Sequence, residues 1–113
     1  MKLRLEDNTL RLRLTDEEVQ QFAQTGHLAS AVPLAPGPDG RLTYALQVAD
    51  DDSTAAEQTL RVAYTPGTLS VLVPASLAQS WLAPDQIGLS ATMRLTDGNE
   101  LRILVEKDLG CRH

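Results

Sequence analysis

Alternation with a period of two runs through most of this chain and restricts its fold more than any other feature. Leu3 and Leu5 alternate with Lys2 and Arg4; after the polar turn Glu6-Asp7-Asn8, Leu10, Leu12 and Leu14 alternate with Arg11 and Arg13. Successive side chains of a strand point to opposite faces, so the pattern predicts a hairpin with one leucine face and one basic face. The same signal returns at Leu42-Tyr44-Leu46-Val48, and at Leu60-Val62-Tyr64 and Leu69-Val71-Val73 around the turn Pro66-Gly67. It closes the chain at Ile87-Leu89-Ala91-Met93-Leu95 and Leu101-Ile103-Val105, joined through Asp97-Gly98. A weaker strand covers His27 to Leu34, and the Pro and Gly residues from Pro33 to Gly40 read as irregular loop.

Two segments change period. Thr15-Asp16-Glu17-Glu18 has the form of a capping box, Val19, Phe22 and Ala23 fall at helical spacing, and Gly26 supplies a stop, which predicts a helix over 16–25. Pro74 opens a second helix with Leu77, Ala78, Trp81 and Leu82 as its apolar stripe, and Pro84 ends it. The expected fold is α+β, with seven or eight strands and two short helices. Because hairpins join the strands, the sheet is expected to be mainly antiparallel, either curled or closed into a small β-barrel whose open ends the helices cap. A length of 113 residues suits one domain over 1–113, and no internal repeat is visible.

Four aromatic residues leave leucine, valine and alanine to fill the core. A single cysteine precludes an internal disulfide and fits a reducing cytoplasm. No signal peptide is evident, and no run approaches the ~20 apolar residues of a membrane helix. A cytoplasmic protein without membrane attachment is expected. The net charge of −5 argues against nucleic acid as a partner.

Chemistry-bearing residues gather at the end of the last strand. Glu106, Asp108, Cys111 and His113 offer carboxylate, thiolate and imidazole, which are all zinc ligands. Structural zinc sites pair Cys or His at both ends of a loop, and only His27 remains to add, so a packed or solvated tail without metal is expected. Cys111 as a nucleophile would need a base and a cleft, and an inert strand-end residue is the simpler reading. Lys2, Arg4, Arg11 and Arg13 form a basic stripe that suits an anion, or else a solvated outer face partnered by acids. The run Asp50-Asp51-Asp52 lacks the alternating oxygen ligands and glycine of a calcium loop. Trp81 belongs to the core or, if half exposed, anchors an interface. No phosphate loop, nucleophile elbow or His-Glu-x-x-His is present, so no catalytic residue and no cofactor are assigned.

The opening Met-Lys-Leu-Arg-Leu and Leu-Arg-Leu-Arg-Leu-Thr, the internal Val-Pro-Ala-Ser-Leu-Ala-Gln-Ser-Trp and the closing Ile-Leu-Val-Glu-Lys-Asp-Leu-Gly-Cys resemble a family of short bacterial proteins of unknown function. The resemblance covers essentially the whole chain and implies a bacterial cytoplasmic protein, with no activity to carry over. Residues 72–89 also resemble the strand, Pro-started helix and strand of swapped-hairpin DNA-binding domains in antitoxins and transition-state regulators. Those domains hold phosphates with basic residues around the helix, whereas residues 73–93 contain no Lys or Arg. Three functions follow as expectations: a non-enzymatic interaction module working through a protein partner or self-association; a small-ligand or metal-binding protein, an enzyme included, using the terminal cluster; and an antitoxin-like DNA-binding module.

Overall fold

The computed structural model describes residues 1–49, 60–83, 88–95 and 98–107. The first alternating segment forms the predicted hairpin: β1 (Lys2–Glu6) pairs antiparallel with β2 (Thr9–Leu14), setting Leu3 opposite Leu12 and Arg4 opposite Arg11. Helix α1 (Asp16–Thr25) follows under its capping box, in which the Glu18 N–H donates to the Thr15 hydroxyl and the Thr15 N–H donates back to Glu18 Oε1 at 2.9 Å. Gly26 ends it in the left-handed conformation (φ 72°), where a side chain would be strained, and donates its N–H to the Phe22 carbonyl. Strands β3 (His27–Pro33) and β4 (Arg41–Ala49) make a second hairpin, and β5 (Arg61–Thr65) and β6 (Thr68–Pro74) a third. Helix α2 (Ala75–Leu82) leads to the fourth, β7 (Gly88–Arg94) with β8 (Glu100–Lys107). Pro74 is the last residue of β6 and the N-cap of α2, one place earlier than the sequence pattern set it.

Hairpins joined through a helix do not share a sheet. Each helix carries the chain from one sheet to the other, so the first hairpin joins the fourth in the order β1-β2-β8-β7, and the second joins the third in the order β3-β4-β6-β5. We call these sheet A and sheet B. The hairpin ladders are antiparallel, whereas β2 with β8 and β4 with β6 are parallel, so the mainly antiparallel α+β expectation holds. The barrel does not form. The two sheets stay open, and β1, β7, β3 and β5 remain edge strands.

The chain therefore contains a structural repeat that its sequence hides. Hairpin, helix, hairpin occurs twice, and the two copies exchange hairpins to build the two sheets. Even the register repeats: Lys2↔Arg13 corresponds to Arg61↔Leu72, and Thr9↔Arg102 to Thr68↔Thr43. The sequence expectation of no repeat is corrected here. What the copies share is apolar period rather than residue identity.

Leu10, Leu12, Leu14, Ile103 and Val105 of sheet A join Leu46, Val71 and Val73 of sheet B in one buried cluster. Full burial of each such side chain contributes about 1.5–3 kcal/mol. The helices do not cap opposite ends as the sequence suggested. Both start where the central parallel strands finish, and Phe22 of α1 meets Trp81 of α2 edge-on at 6.0 Å between ring centroids and 71° between planes. The β1–β2, β3–β4 and β5–β6 turns consequently lie at the other end, together with the end of β7 and the start of β8. Leu5, Val32, Leu34, Tyr64 and Leu95, the exposed large apolar residues among those described, lie toward those tips.

Candidate functional site

The outer face of sheet A gathers the charge. Register places Lys2 and Arg4 of β1, Arg11 and Arg13 of β2, Arg102 of β8 and Arg94 of β7 on one side, with Glu6, Glu100 and Glu106 among them. That is six of the ten Lys and Arg residues on a single face of a chain whose net charge is −5. The predicted basic stripe of Lys2, Arg4, Arg11 and Arg13 is thus one contiguous surface, and it is broader than the sequence indicated. Arg102 and Arg94 escaped notice because only the parallel pairing of β2 with β8 brings the last hairpin alongside the first. The alternation of Arg102 with Leu101 and Ile103 did mark it as an outward residue; nothing local says which strand lies next to it.

This arrangement has an electrostatic cost. Lys2 stands directly opposite Arg13, and Arg4 opposite Arg11, where like charges weaken a strand pair. Glu106 offsets part of that cost. Its Oε1 lies 3.5 Å from Arg11 Nε and 3.7 Å from Arg13 Nη2, so one carboxylate bridges two guanidinium groups. Gly88, opposite Glu106, leaves the room for it: a Cβ there would come within 3.3 Å of Glu106 Cγ. At 3.5 Å the Arg11 contact is an ion pair and not a hydrogen bond, and Arg11 Nε remains buried without a hydrogen-bonding acceptor. Arg4 reaches Glu6 at 3.6 Å on the exposed surface. Lys2, Arg94 and Arg102 carry no ion pair among the described residues.

Two concavities run along this face. One, of about 460 Å³, is lined by Arg4, Arg11, Arg102, Glu106 and the β1–β2 turn. The other, of about 480 Å³, follows β1 from Met1 to Arg4, with Arg11 and Arg13 on one side and Tyr44 of sheet B beyond. The Tyr44 hydroxyl donates to the Met1 carbonyl at 2.9 Å, and the Met1 ammonium pairs with Glu18. Burial pushes the Glu18 carboxyl up, but that ammonium and the hydrogen bonds from it and Thr15 outweigh burial and leave the carboxyl below its ordinary value.

The repeat supplies an internal control for reading the charges. In sheet B the outer positions equivalent to Arg4, Arg11, Arg13, Arg102 and Glu106 hold Ala63, Ser70, Leu72, Thr43 and Gln47. Arg61 and Arg41 stand in the places of Lys2 and Glu100, so the same ladders form there with two cations among otherwise neutral positions, and the architecture does not require the full charge of sheet A.

The other sequence candidates divide in two. Glu106 belongs to the basic face as a partner of Arg11 and Arg13, while Asp108, Cys111 and His113 lie outside the described residues, as does Asp50-Asp51-Asp52. Among the described residues, no three of His, Cys, Asp or Glu stand close enough to hold a metal ion. Trp81 is fully buried, which makes it a core residue and not an exposed anchor. No helix of the described residues is long and apolar enough to cross a membrane.

Comparison with the curated proteins found no match, and comparison with the solved structures found none either. The sequence model of one family, described as a family of unknown function (DUF7009), matches residues 1–113. With its full length inside that match, the chain belongs to the DUF7009 family, whose function is unknown.

Proposed function

We propose that the protein is a non-enzymatic interaction module of the bacterial cytoplasm, and that its working surface is the outer face of sheet A, which binds an anionic segment of a protein partner. One observation carries the reading: the same ladders occur twice in the fold, and the outer face of sheet A gathers six cations where that of sheet B has only Arg41 and Arg61 among the described residues. Cross-strand pairs of like charge lower stability, so keeping Lys2 against Arg13 and Arg4 against Arg11 is a cost that a ligand's negative charge offsets. The cytoplasmic setting is supported by the lone cysteine. A protein partner is preferred over nucleic acid because the face carries three glutamates and no aromatic side chain on which a base could stack.

The test is binding of fluorescent poly-glutamate at low and physiological salt. Wild-type protein is expected to bind at low salt and to weaken as salt screens the contacts. The double variant Arg4→Ala/Arg102→Ala should lose most of that binding, while Arg41→Ala on the outer face of sheet B should retain it. Equal loss in both variants, or no binding at any salt, would remove the proposal.

A further inference from the structure

Resting on that reading of sheet A, we infer that the partner docks as an added strand, an extended peptide of alternating acidic and apolar residues that pairs with the free edge of β1. Strand β1 ends the order of sheet A, and an edge strand presents every second N–H and C=O to whatever lies beside it. A concavity of about 480 Å³ lies over β1 from Met1 to Arg4, with Arg11 and Arg13 of β2 also lining it. Extended peptides recognise such edges through main-chain hydrogen bonds, with their alternating side chains read separately on the two faces.

The two faces of β1 differ in what they ask for. On the outer side stand Lys2 and Arg4, backed across the ladder by Arg13 and Arg11, with Glu6 beyond Arg4 at the turn. The inner side holds Leu3 and Leu5. Leu5 is 62% exposed although its cross-strand partner Leu10 is only 2% exposed, so the core surface runs out to the edge and stops uncovered. A strand laid against β1 extends both faces at once. Its outward side chains meet Lys2 and Arg4, which calls for carboxylates. Its inward side chains cover Leu5, which calls for apolar groups. Period-two alternation of acid and hydrophobe is the one pattern that satisfies both.

Two other occupants fit worse. A second copy of this chain pairing β1 with β1 would join two outer faces that each carry Lys2 and Arg4 against the single Glu6, a pairing that stays net positive. Nucleic acid would use the cations but would leave Leu5 and the edge amides unanswered. The equivalent edge strand β5 is a poorer site, because its outward residues are Arg61, Ala63 and Thr65.

The experiment uses the full chain and a capped eight-residue peptide alternating glutamate and leucine. Three comparison probes accompany it: a scrambled peptide of the same composition, an analogue N-methylated on alternate amides, and a short DNA duplex. The alternating peptide is expected to bind, to slow hydrogen exchange at the β1 amides, and to weaken with salt. N-methylation removes donors and leaves charge and apolarity in place, so it should weaken binding about tenfold or more. The exposed pair Lys2→Ala/Arg4→Ala should weaken binding several-fold and flatten its salt dependence. Equal binding of the scrambled or N-methylated peptide would overturn strand addition and leave the anion-binding face standing, as would preference for the duplex at that face. Absence of binding by every probe, poly-glutamate included, would overturn both.

Discussion

Phe22 and Trp81 are each the seventh residue of their helices, and they touch each other. Residues in equivalent places of a repeat meet only where the repeat's axis passes, so this pair marks the centre of the molecule. Trp81 also lies under Lys107, whose Nζ sits 5.6 Å from its ring centroid and donates to the Ala83 carbonyl at 2.9 Å. Removing the indole would empty the point where both helices and the end of β8 converge. We expect Trp81→Ala to cost about 3–5 kcal/mol of stability, measured by urea unfolding, with poly-glutamate binding by the remaining folded protein unchanged. A midpoint within error of wild type would show that the ring is not a keystone. Burial of Trp81 was legible from its stripe with Leu77 and Leu82. The role of Glu106 was not, because its partners Arg11 and Arg13 come from a strand far away in the sequence.

At the scale of elements, α1 shows how much a short local pattern determines. Thr15, Glu18 and Gly26 set both helix ends, and the observed span Asp16–Thr25 is the one their spacing predicts. Glu18 also binds the Met1 ammonium, which ties the start of β1 to the first turn of the helix. Its carboxyl titrates below its ordinary value, so the ionised form contributes stability that is fully present above that ordinary pKa of 4.5 and is lost as pH falls through the lowered value. Glu18→Gln keeps a capping acceptor and removes the charge. We therefore expect the variant to melt below wild type near neutral pH, with the gap narrowing once pH falls below about 4. A gap that stays constant across that range would show that the charge of Glu18 is not what matters. The hairpins were readable for the same local reason, since each lies within a few residues of its turn. Parallel pairing of β2 with β8 has no local signal, and for that reason one curled sheet was expected where two open ones exist.

The whole molecule is two interlocked units, and the interlock holds them together. Strand β2 of the first unit is bound to β8 of the second, and β4 to β6, so neither unit keeps an intact sheet without the other. Cutting the chain at a protease site engineered into 50–59 should leave two fragments that co-migrate under native conditions and part only in denaturant. Fragments that separate in buffer would refute the interlock. Exchange of hairpins also dictates an order of events during synthesis. Sheet B can assemble from the middle of the chain, whereas sheet A waits for its last hairpin to leave the ribosome. At the usual rate of ~5–20 residues per second, β1 and β2 spend several seconds with one flank bare. A bare flank is the place where nascent chains on neighbouring ribosomes stick to one another. Four cations on that hairpin make two such chains repel, so the charge that suits a partner in the finished protein also keeps the unfinished one solitary.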